Sequence, residues 1–308
     1  MRLFRAAGNR VSAVNVATAL HQLAKRRAAT NCAVAAEDVE LLNISVGELL
    51  EGFDPQELAN TLWAWATLDA HPGEDVLLSV GRCVERRLEG FNPQGLANAL
   101  WAWATMGVHP GEDLLRSVGR CVERKLAEMG AEDKMQVFQA HLVFSATMAL
   151  EARELGLTER AVEELREAWR EEVKATRVSR LQRDVARVMA EELGVESAME
   201  VETEDALFCI DIVPRGSRVA VEVDGPSHFV RVLQSSGAVE GKTTTAWAWK
   251  ESGATLARHT LLWAHGWTVV SVPFFEWDAC GGDAVRQARA LLRHTPLAAL
   301  AARPRDGA

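Results

Sequence analysis

The chain has 308 residues, of which 48% are hydrophobic and 25% are charged. This length allows one large or two ordinary domains, and the composition is typical of a globular protein. No apolar run approaches the ~20 residues that a membrane-spanning helix needs, so we expect no membrane partner. The formal charge of −9 excludes nucleic-acid binding through the overall field of the protein. Any RNA contact must therefore use a local basic patch.

The five cysteines show no CxxC pair and no spacing typical of a metal site. Cys83 and Cys121 occupy equivalent positions in a sequence repeat, described below. We therefore predict that they are small buried residues in a reducing compartment.

The first 36 residues are rich in basic side chains and contain no acid before Glu37. The basic residues are Arg2, Arg5, Arg10, Lys25, Arg26 and Arg27. An acid-poor basic segment is typical of an organellar transit peptide. The apolar spacing between Val16 and Ala24 also matches the repeat helix that follows. Residues 1–52 are therefore either a transit-like segment or a degenerate helical repeat.

Two copies of a 38-residue unit follow, at 53–90 and 91–128. Both contain the pentapeptide Trp-Ala-Trp-Ala-Thr, at 63–67 and 101–105. A fixed period near this length predicts stacked helical hairpins, because one hairpin is too small to bury its own apolar face. A solenoid usually needs three or more units, so we expect divergent copies on both sides, with the repeats continuing to residue 150.

Each unit begins with a helix-start signal. Asp54 or Asn92 is predicted as the N-cap, a proline follows at the first helical position, and Phe53 or Phe91 can pack onto the leucine at N4. The first helix of a unit is called helix A and the second helix B. Helix A is predicted to bury Leu58, Leu62 and Trp65, and helix B to bury Leu77, Val80, Val84 and Leu88.

Helix A also carries side chains away from its buried stripe, and these are the candidates for RNA binding. They are Asn60, Trp63, Asn98 and Trp101. Helical-repeat readers present a few side chains per unit to single-stranded bases, and Trp can stack on such bases. The alternative is that the two tryptophans pack between neighbouring units.

The B helices carry a row of basic residues, namely Arg82, Arg86, Arg87, Arg120, Arg124 and Lys125. These side chains either contact phosphate groups or form solvated faces in which they pair with Glu85 and Glu123.

After the repeats, we expect a helical linker over 151–178 and a helix at 179–193 that ends at Gly194. Hydrophobic patterning then predicts strands at 199–203, 206–213 and 219–224, a helix at 255–265, a strand at 267–273 and a helix at 283–294. Residues 230–253 are rich in Ser, Thr and Gly and are interpreted as a mobile insertion loop. Residues 295–308 are interpreted as a tail.

The strand predicted at Val219–Asp224 ends in two acids. Glu222 and Asp224 project from the face opposite the valines, and Gly225-Pro226 breaks the strand. Two neighbouring acids repel each other unless a cation, a proton or a basic partner offsets the repulsion. The alternative is that both are solvated residues at a sheet edge.

The run 220–229, with 266–277 downstream, resembles the RAP domain. This domain is the C-terminal module of organellar RNA-binding proteins, which include FAST-kinase-like proteins, apicomplexan RAP proteins and algal octotricopeptide-repeat factors. The resemblance implies a RAP domain over 179–294, RNA processing, stability or translation in a mitochondrion or chloroplast, and a fold similar to PD-(D/E)xK nucleases. His228 and Arg258 match family positions and are candidates for contacts with RNA. The Trp-rich repeats likewise resemble octotricopeptide-like repeats.

In nucleases of that fold, an Asp and a Glu on adjacent strands bind Mg²⁺, and a nearby Lys assists the attacking water. The resemblance places Asp211 and Glu222 at the metal positions. If Pro214 pairs with Val219, Asp211 lies directly opposite Glu222. Asp224 stands where the Lys is expected, so that cation is missing. Asp211, Glu222 and Asp224 are catalytic candidates, and Mg²⁺ a cofactor, only if the protein is a nuclease; otherwise we expect no cofactor.

The predicted fold class is α+β overall, with an N-terminal α-helical repeat solenoid followed by a C-terminal α/β domain similar to PD-(D/E)xK nucleases. The leading hypothesis is an organellar RNA-binding protein. Its repeats would hold single-stranded RNA and its RAP domain would assist, with other RNA-processing proteins as further partners. A metal-dependent RNA endonuclease and a protein-interaction scaffold are the alternatives.

Overall fold

The computed structural model describes residues 12–30, 32, 34–147, 155–173, 177–239 and 242–302, with side chains described for all of these except 172–173, 233–239 and 242–246. The chain divides into two compact units. The repeat unit comprises residues 1–168 and 229–257, and the sheet unit comprises residues 169–228 and 258–308. No helix in the described part of the chain is both long enough and apolar enough to cross a membrane.

The repeat unit is built from helices that alternate between the A and B types. The A helices are α1 (Ala13–Thr30), α3 (Pro55–Leu68), α5 (Pro93–Met106) and α7 (Ala131–Thr147). The B helices are α2 (Ala36–Leu49), α4 (Glu74–Arg87), α6 (Glu112–Lys125) and α8 (Glu159–Val173), of which α8 extends into the sheet unit. Each A helix packs against the next A helix along the chain. The described part of residues 1–52 therefore forms a helical hairpin, whereas residues 1–11 of the transit-like segment lie outside the described residues.

The start signals of the two clear repeats act as predicted. Asp54 and Glu57 form a reciprocal capping box at the start of α3, with Pro55 at the first helical position. Asn92 caps α5 by accepting a hydrogen bond from the backbone N–H of Gly95. These side chains satisfy backbone donors that would otherwise lack a partner at a helix N-terminus.

The predicted apolar stripes form the core of the repeat unit. Phe53, Phe91, Leu58, Leu62, Trp65, Leu77, Val80, Val84 and Leu88 are all buried. Cys83 and Cys121 are buried free thiols, as expected. Gly119 on α6 allows the segment before α8 to approach closely, since a Cβ atom there would lie 1.5 Å from the carbonyl oxygen of Leu155.

Residues 230–253 do not form the predicted loop. Strand β4 (Phe229–Val239) pairs with β5 (Lys242–Glu251) in an antiparallel two-stranded sheet within the repeat unit. The prediction weighed Ser, Thr and Gly as loop residues and overlooked the alternation of Thr and Trp with Ala over 245–249, which favours a strand.

The sheet unit begins with α9 (Arg180–Glu191), which has a capping box between Ser179 and Gln182. The strands β1 (Ser197–Glu202), β2 (Cys209–Pro214), β3 (Val219–Asp224) and β6 (Thr268–Pro273) form one sheet in the order β1-β2-β3-β6. Strand β2 is antiparallel to both β1 and β3, whereas β6 is parallel to β3. The chain crosses from β3 to β6 through α10 (Gly253–Ala264), whose N-terminal residues belong to the repeat unit.

One face of this sheet packs on the C-terminal helices and α9. These helices are α11 (Phe274–Ala279), α12 (Ala284–Leu292) and α13 (Thr295–Ala301). The core between the layers contains Val185, Val221, Val270 and Trp277, together with Leu297. Residues 295–301, which were predicted as part of a tail, form a helix instead. This helix packs on the core through Leu297, which is fully buried.

Candidate functional site

Strand β3 is buried along its whole length, and its two acids are buried with it. The side chains of Glu222 and Asp224 are only 3% and 1% exposed. Buried carboxylates are stable only when other groups supply hydrogen bonds or opposite charge. Glu222 and Asp224 are therefore not solvated edge residues, and their partners determine what this site can do.

The partner of Glu222 is Arg258 on α10. The Arg258 Nε donates to Glu222 Oε2 at 2.6 Å, and its Nη2 lies 3.4 Å from Oε1 and 2.6 Å from the carbonyl oxygen of Cys209. Burial alone would lower the pKa of Arg258, but attraction by Glu222 and the hydrogen bonds raise it overall. Arg258 therefore offsets the buried charge of Glu222, and its own charge is used inside the fold.

Asp211 lies beside this ion pair. The pairing of Ile212 with Val221 sets the register that was assumed from the sequence, and it places Asp211 opposite Glu222. Asp211 Oδ2 accepts a hydrogen bond of 2.7 Å from the backbone N–H of Val223. Burial, and then repulsion by Glu222, raise the pKa of Asp211 to about 6. The two acids thus compete for the single positive charge of Arg258.

Asp224 has a separate set of partners. Ser271 on β6 donates its hydroxyl to Asp224 Oδ2, and His228 Nδ1 lies 3.0 Å from Oδ1. His259 Nε2 is 3.5 Å from Oδ2. The hydrogen bond and the charge of Asp224 raise the pKa of His228. This cluster joins the strand end to the turn that follows it, because His228 ends the short 3₁₀ helix Pro226–His228.

These residues do not fit a nuclease metal site. A hard dication needs free carboxylate oxygens that converge on one point. Both oxygens of Glu222 lie against the Arg258 guanidinium, and one oxygen of Asp211 accepts a backbone hydrogen bond. The positive charge of Arg258 beside these carboxylates would also repel a metal ion. His228 does not replace the missing Lys, because it is paired with Asp224.

The RNA-binding candidates of the repeats lie on adjacent A helices. Asn60 is half-buried and accepts a hydrogen bond of 3.1 Å from Gln56, whereas Asn98 is only 9% exposed. Trp63 stands edge-on to the ring of His21 with 5.2 Å between ring centroids. Trp101 Nε1 donates to Gln139 on α7 at 3.1 Å. Both tryptophans thus use part of their surface to contact a neighbouring repeat.

The structure adds two residues that the sequence analysis did not single out. At the 38-residue spacing, the position of Asn60 and Asn98 is occupied by Gln22 on α1 and Gln136 on α7. Burial at the neighbouring positions supports this alignment, because Ala24, Leu62, Leu100 and Phe138 are all buried. We call the row Gln22, Asn60, Asn98 and Gln136 the amide row. Extending the period outward from the two clear repeats would have found it.

The basic row on the B helices pairs differently from the prediction. Arg86 contacts Glu51 at 2.6 Å, and Arg124 contacts Glu89 at 2.6 Å. Each pair joins a B helix to the end of the preceding repeat, so Glu85 and Glu123 were the wrong partners for these arginines. A same-helix partner was expected because sequence spacing reveals only local neighbours.

Two known protein families match different parts of this chain of helical repeats and a small mixed sheet. A model of the Tbc2 translation factor N-terminal domain matches residues 3–190, which is more than half of the chain. The chain belongs to the Tbc2 N-terminal-domain family. A RAP domain matches residues 221–294, which include most of β3, the acidic strand end and α12. No curated protein sequence shows significant similarity to the chain.

The two matches together agree with a RAP-domain organellar RNA factor of α+β fold. They indicate RNA as a partner and a role in organellar translation or RNA processing. The RAP match explains why the strand-end motif could be recognised from sequence, and the Tbc2 match covers α1 to α9, including all the A helices.

Proposed function

We propose that the A helices of this Tbc2-family protein hold single-stranded RNA in a mitochondrion or chloroplast, and that the RAP domain assists in its processing, stability or translation. The observation that carries the proposal is the amide row, which places one amide side chain at the same position of each A helix. Because successive A helices pack side by side, the row runs from one repeat to the next.

Amide side chains suit this task because each offers both a hydrogen-bond donor and an acceptor. Helical-repeat proteins that read RNA use two or three side chains per repeat for each base. In this chain, Gln56 is exposed and forms hydrogen bonds with two other amide side chains. It donates to Asn60 and accepts a hydrogen bond of 3.0 Å from Asn92 in the next repeat. Gln56 and Asn60 are therefore an accessible reading pair, whereas Asn98 of the next repeat is buried and does not reach RNA.

The tryptophans support the surface instead of forming an open stacking platform. Trp63 and Trp101 each hold a neighbouring A helix through the contacts to His21 and Gln139. We expect their remaining exposed edges to contact bases only at the margin of the RNA path. Sequence reading by the amides would then contribute more to specificity than stacking would.

The experiment is RNA selection followed by affinity measurement with the full chain. The double substitution Gln56→Ala with Asn60→Ala should weaken binding to the selected RNA by about 1–3 kcal/mol, roughly 5- to 150-fold, as loss of a bidentate amide contact does. It should also relax the base preference at one position of the RNA.

The matched control is Glu85→Gln, which changes an exposed side chain on a B helix and should leave affinity unchanged. If the double variant keeps the affinity and base preference of the parent protein, the amide row does not read RNA and this proposal is wrong.

A further inference from the structure

A groove in the sheet unit has a wall of arginines that the proposed function does not use. It lies between α9 and the turn that joins α11 to α12, and its volume is 870 Å³. Arg180, Arg183 and Arg187 form one wall, and Pro226, Phe274 and Trp277 contribute the apolar surface. We call these six residues the arginine groove.

The sequence of α9 produces this wall directly. Val185, Val188 and Met189 are buried in the core of the sheet unit. The opposite stripe of the helix therefore faces outward, and Arg180, Arg183 and Arg187 recur on it at intervals of three and four residues. At a rise of about 1.5 Å per residue, the three side chains span roughly 10 Å of the helix axis.

The floor of the groove is held in place by Asp184. Trp277 Nε1 donates to Asp184 Oδ2 at 2.8 Å, and Gln287 Nε2 donates to the same oxygen at 3.4 Å. Arg187 contacts Asp184 Oδ1 at 2.7 Å. Because Asp184 joins α9 to α11 and α12, the groove is formed before any ligand binds, which lowers the ordering cost of binding.

Charge complementarity selects the occupant. The chain as a whole carries −9, yet this groove has three guanidinium groups against the carboxylates of Asp184 and Asp278. Arg187 is already paired with Asp184 at 2.7 Å and with Glu191 at 2.9 Å, as Arg86 and Arg124 of the repeat unit are paired with glutamates. Arg180 and Arg183 therefore supply most of the attraction for an anion. Guanidinium groups bind phosphate with two parallel hydrogen bonds, and an adjacent aromatic ring can stack on an unpaired base.

We infer that the arginine groove binds the phosphodiester backbone of single-stranded RNA, with Phe274 against an unpaired base. The inference rests on the proposed function, since it assigns phosphate contacts of the same RNA to the sheet unit. All three arginines of this wall lie in the Tbc2 match and precede the RAP match, which begins at residue 221. The groove therefore joins residues from both family matches in one binding surface.

The test compares two triple substitutions in the full chain. In the first, Arg180, Arg183 and Arg187 become Gln. In the matched control, Arg286, Arg289 and Arg293 become Gln. The control removes the same charge from α12, where these side chains are exposed and do not line the groove. Both variants are compared with the parent protein for thermal stability and for oligouridylate affinity over a range of salt concentrations.

Each phosphate contact on a single strand contributes about 0.7 to the slope of log affinity against log salt. The α9 triple variant should therefore flatten the slope by about 2, whereas the α12 control keeps most of it. A third variant, with Lys at the three α9 positions, should restore the slope because the charges return. Phe274→Leu should weaken binding without changing the slope.

Equal slope changes in the α9 and α12 variants would mean that general charge, not the groove, attracts RNA, and would overturn the inference. A parental slope in the α9 variant would overturn it while leaving the proposed function intact. A polyglutamate peptide serves as a second probe. If the α9 triple variant loses binding to this peptide but keeps its RNA binding, an acidic peptide occupies the groove and the inference is overturned. If the parent protein binds no RNA, the proposed function and this inference both fail.

Discussion

The two units of the molecule contain ion pairs of the same length in opposite environments. In the repeat unit, Arg124 and Glu89 lie 2.6 Å apart with side chains 52% and 80% exposed. In the sheet unit, Arg258 and Glu222 also lie 2.6 Å apart, but Glu222 is 3% exposed. An exposed pair contributes about 0–1 kcal/mol, whereas breaking a buried pair costs about 3–5 kcal/mol.

This difference in burial indicates which side chains can be substituted at small cost in stability and which cannot. The repeat unit gains its stability from apolar residues that recur in every hairpin, so its outer side chains can change with the ligand at small cost. The sheet unit buries charge next to its family motif, so those residues must remain paired. The acidic strand end is thus held by partners inside the fold.

The largest expected effect sharpens the first half of this comparison. Leu58 and Leu96 are fully buried at equivalent positions of α3 and α5. Replacing both with Ala should lower the free energy of unfolding by about 2–5 kcal/mol for each site, through lost burial and new cavities. Thermal or urea unfolding measures the effect. An unchanged melting temperature in the double variant would show that these leucines are not core residues.

The next effect tests the buried ion pair. Arg258→Met should lower the free energy of unfolding by about 3–5 kcal/mol, because Glu222 and Asp211 lose their cation inside the fold. Arg124→Met is the matched control and should cost about 1 kcal/mol or less. Urea unfolding of the two variants compares them. Equal costs would remove the distinction between the two units.

His141 is a buried titratable side chain in the repeat unit. Burial, and then the charge of Arg166, lower the pKa of His141 to about 4. The unfolded chain, with a pKa near 6.5, binds the proton more readily. Stability should therefore fall by about 3 kcal/mol as the pH drops from 6.5 to 4. His141→Gln should reduce this loss, whereas substitution of the exposed His109 should not change it.

The smallest effect has the opposite sign and concerns Asp211. Its pKa of about 6 in the folded protein exceeds the value near 3.9 expected in the unfolded chain. The folded protein therefore holds the proton more tightly, and stability is lost as the pH rises through the window from about 4 to 6. Asp211→Asn keeps an acceptor for the Val223 N–H and removes the repulsion by Glu222.

We therefore expect Asp211→Asn to stabilise the protein by about 1–3 kcal/mol at pH 7 and to have little effect at pH 4. Calorimetric melting at the two pH values measures the difference. Destabilisation at pH 7 would mean that the Asp211 carboxylate is needed in the fold, as a metal ligand would be.

Local patterns predicted much of this structure because their physical causes lie close together in sequence. The Asp54 N-cap, the buried Leu58 stripe and the Asp211–Glu222 register all depend on neighbouring residues or on one short turn. Arg258 is 36 residues from Glu222, beyond the β4–β5 hairpin, and no local spacing could pair them. The ion pairs of Glu51 and Glu89 likewise depend on how one repeat packs on the next.

The central claim is that this chain binds single-stranded RNA, partly through its phosphates. The most direct test is the affinity of the full chain for its selected RNA, measured between about 50 and 200 mM salt. We predict binding that weakens linearly with log salt and is reduced by the Gln56 and Asn60 substitutions. RNA binding that is absent or independent of salt would contradict the account and would favour a scaffold for protein partners.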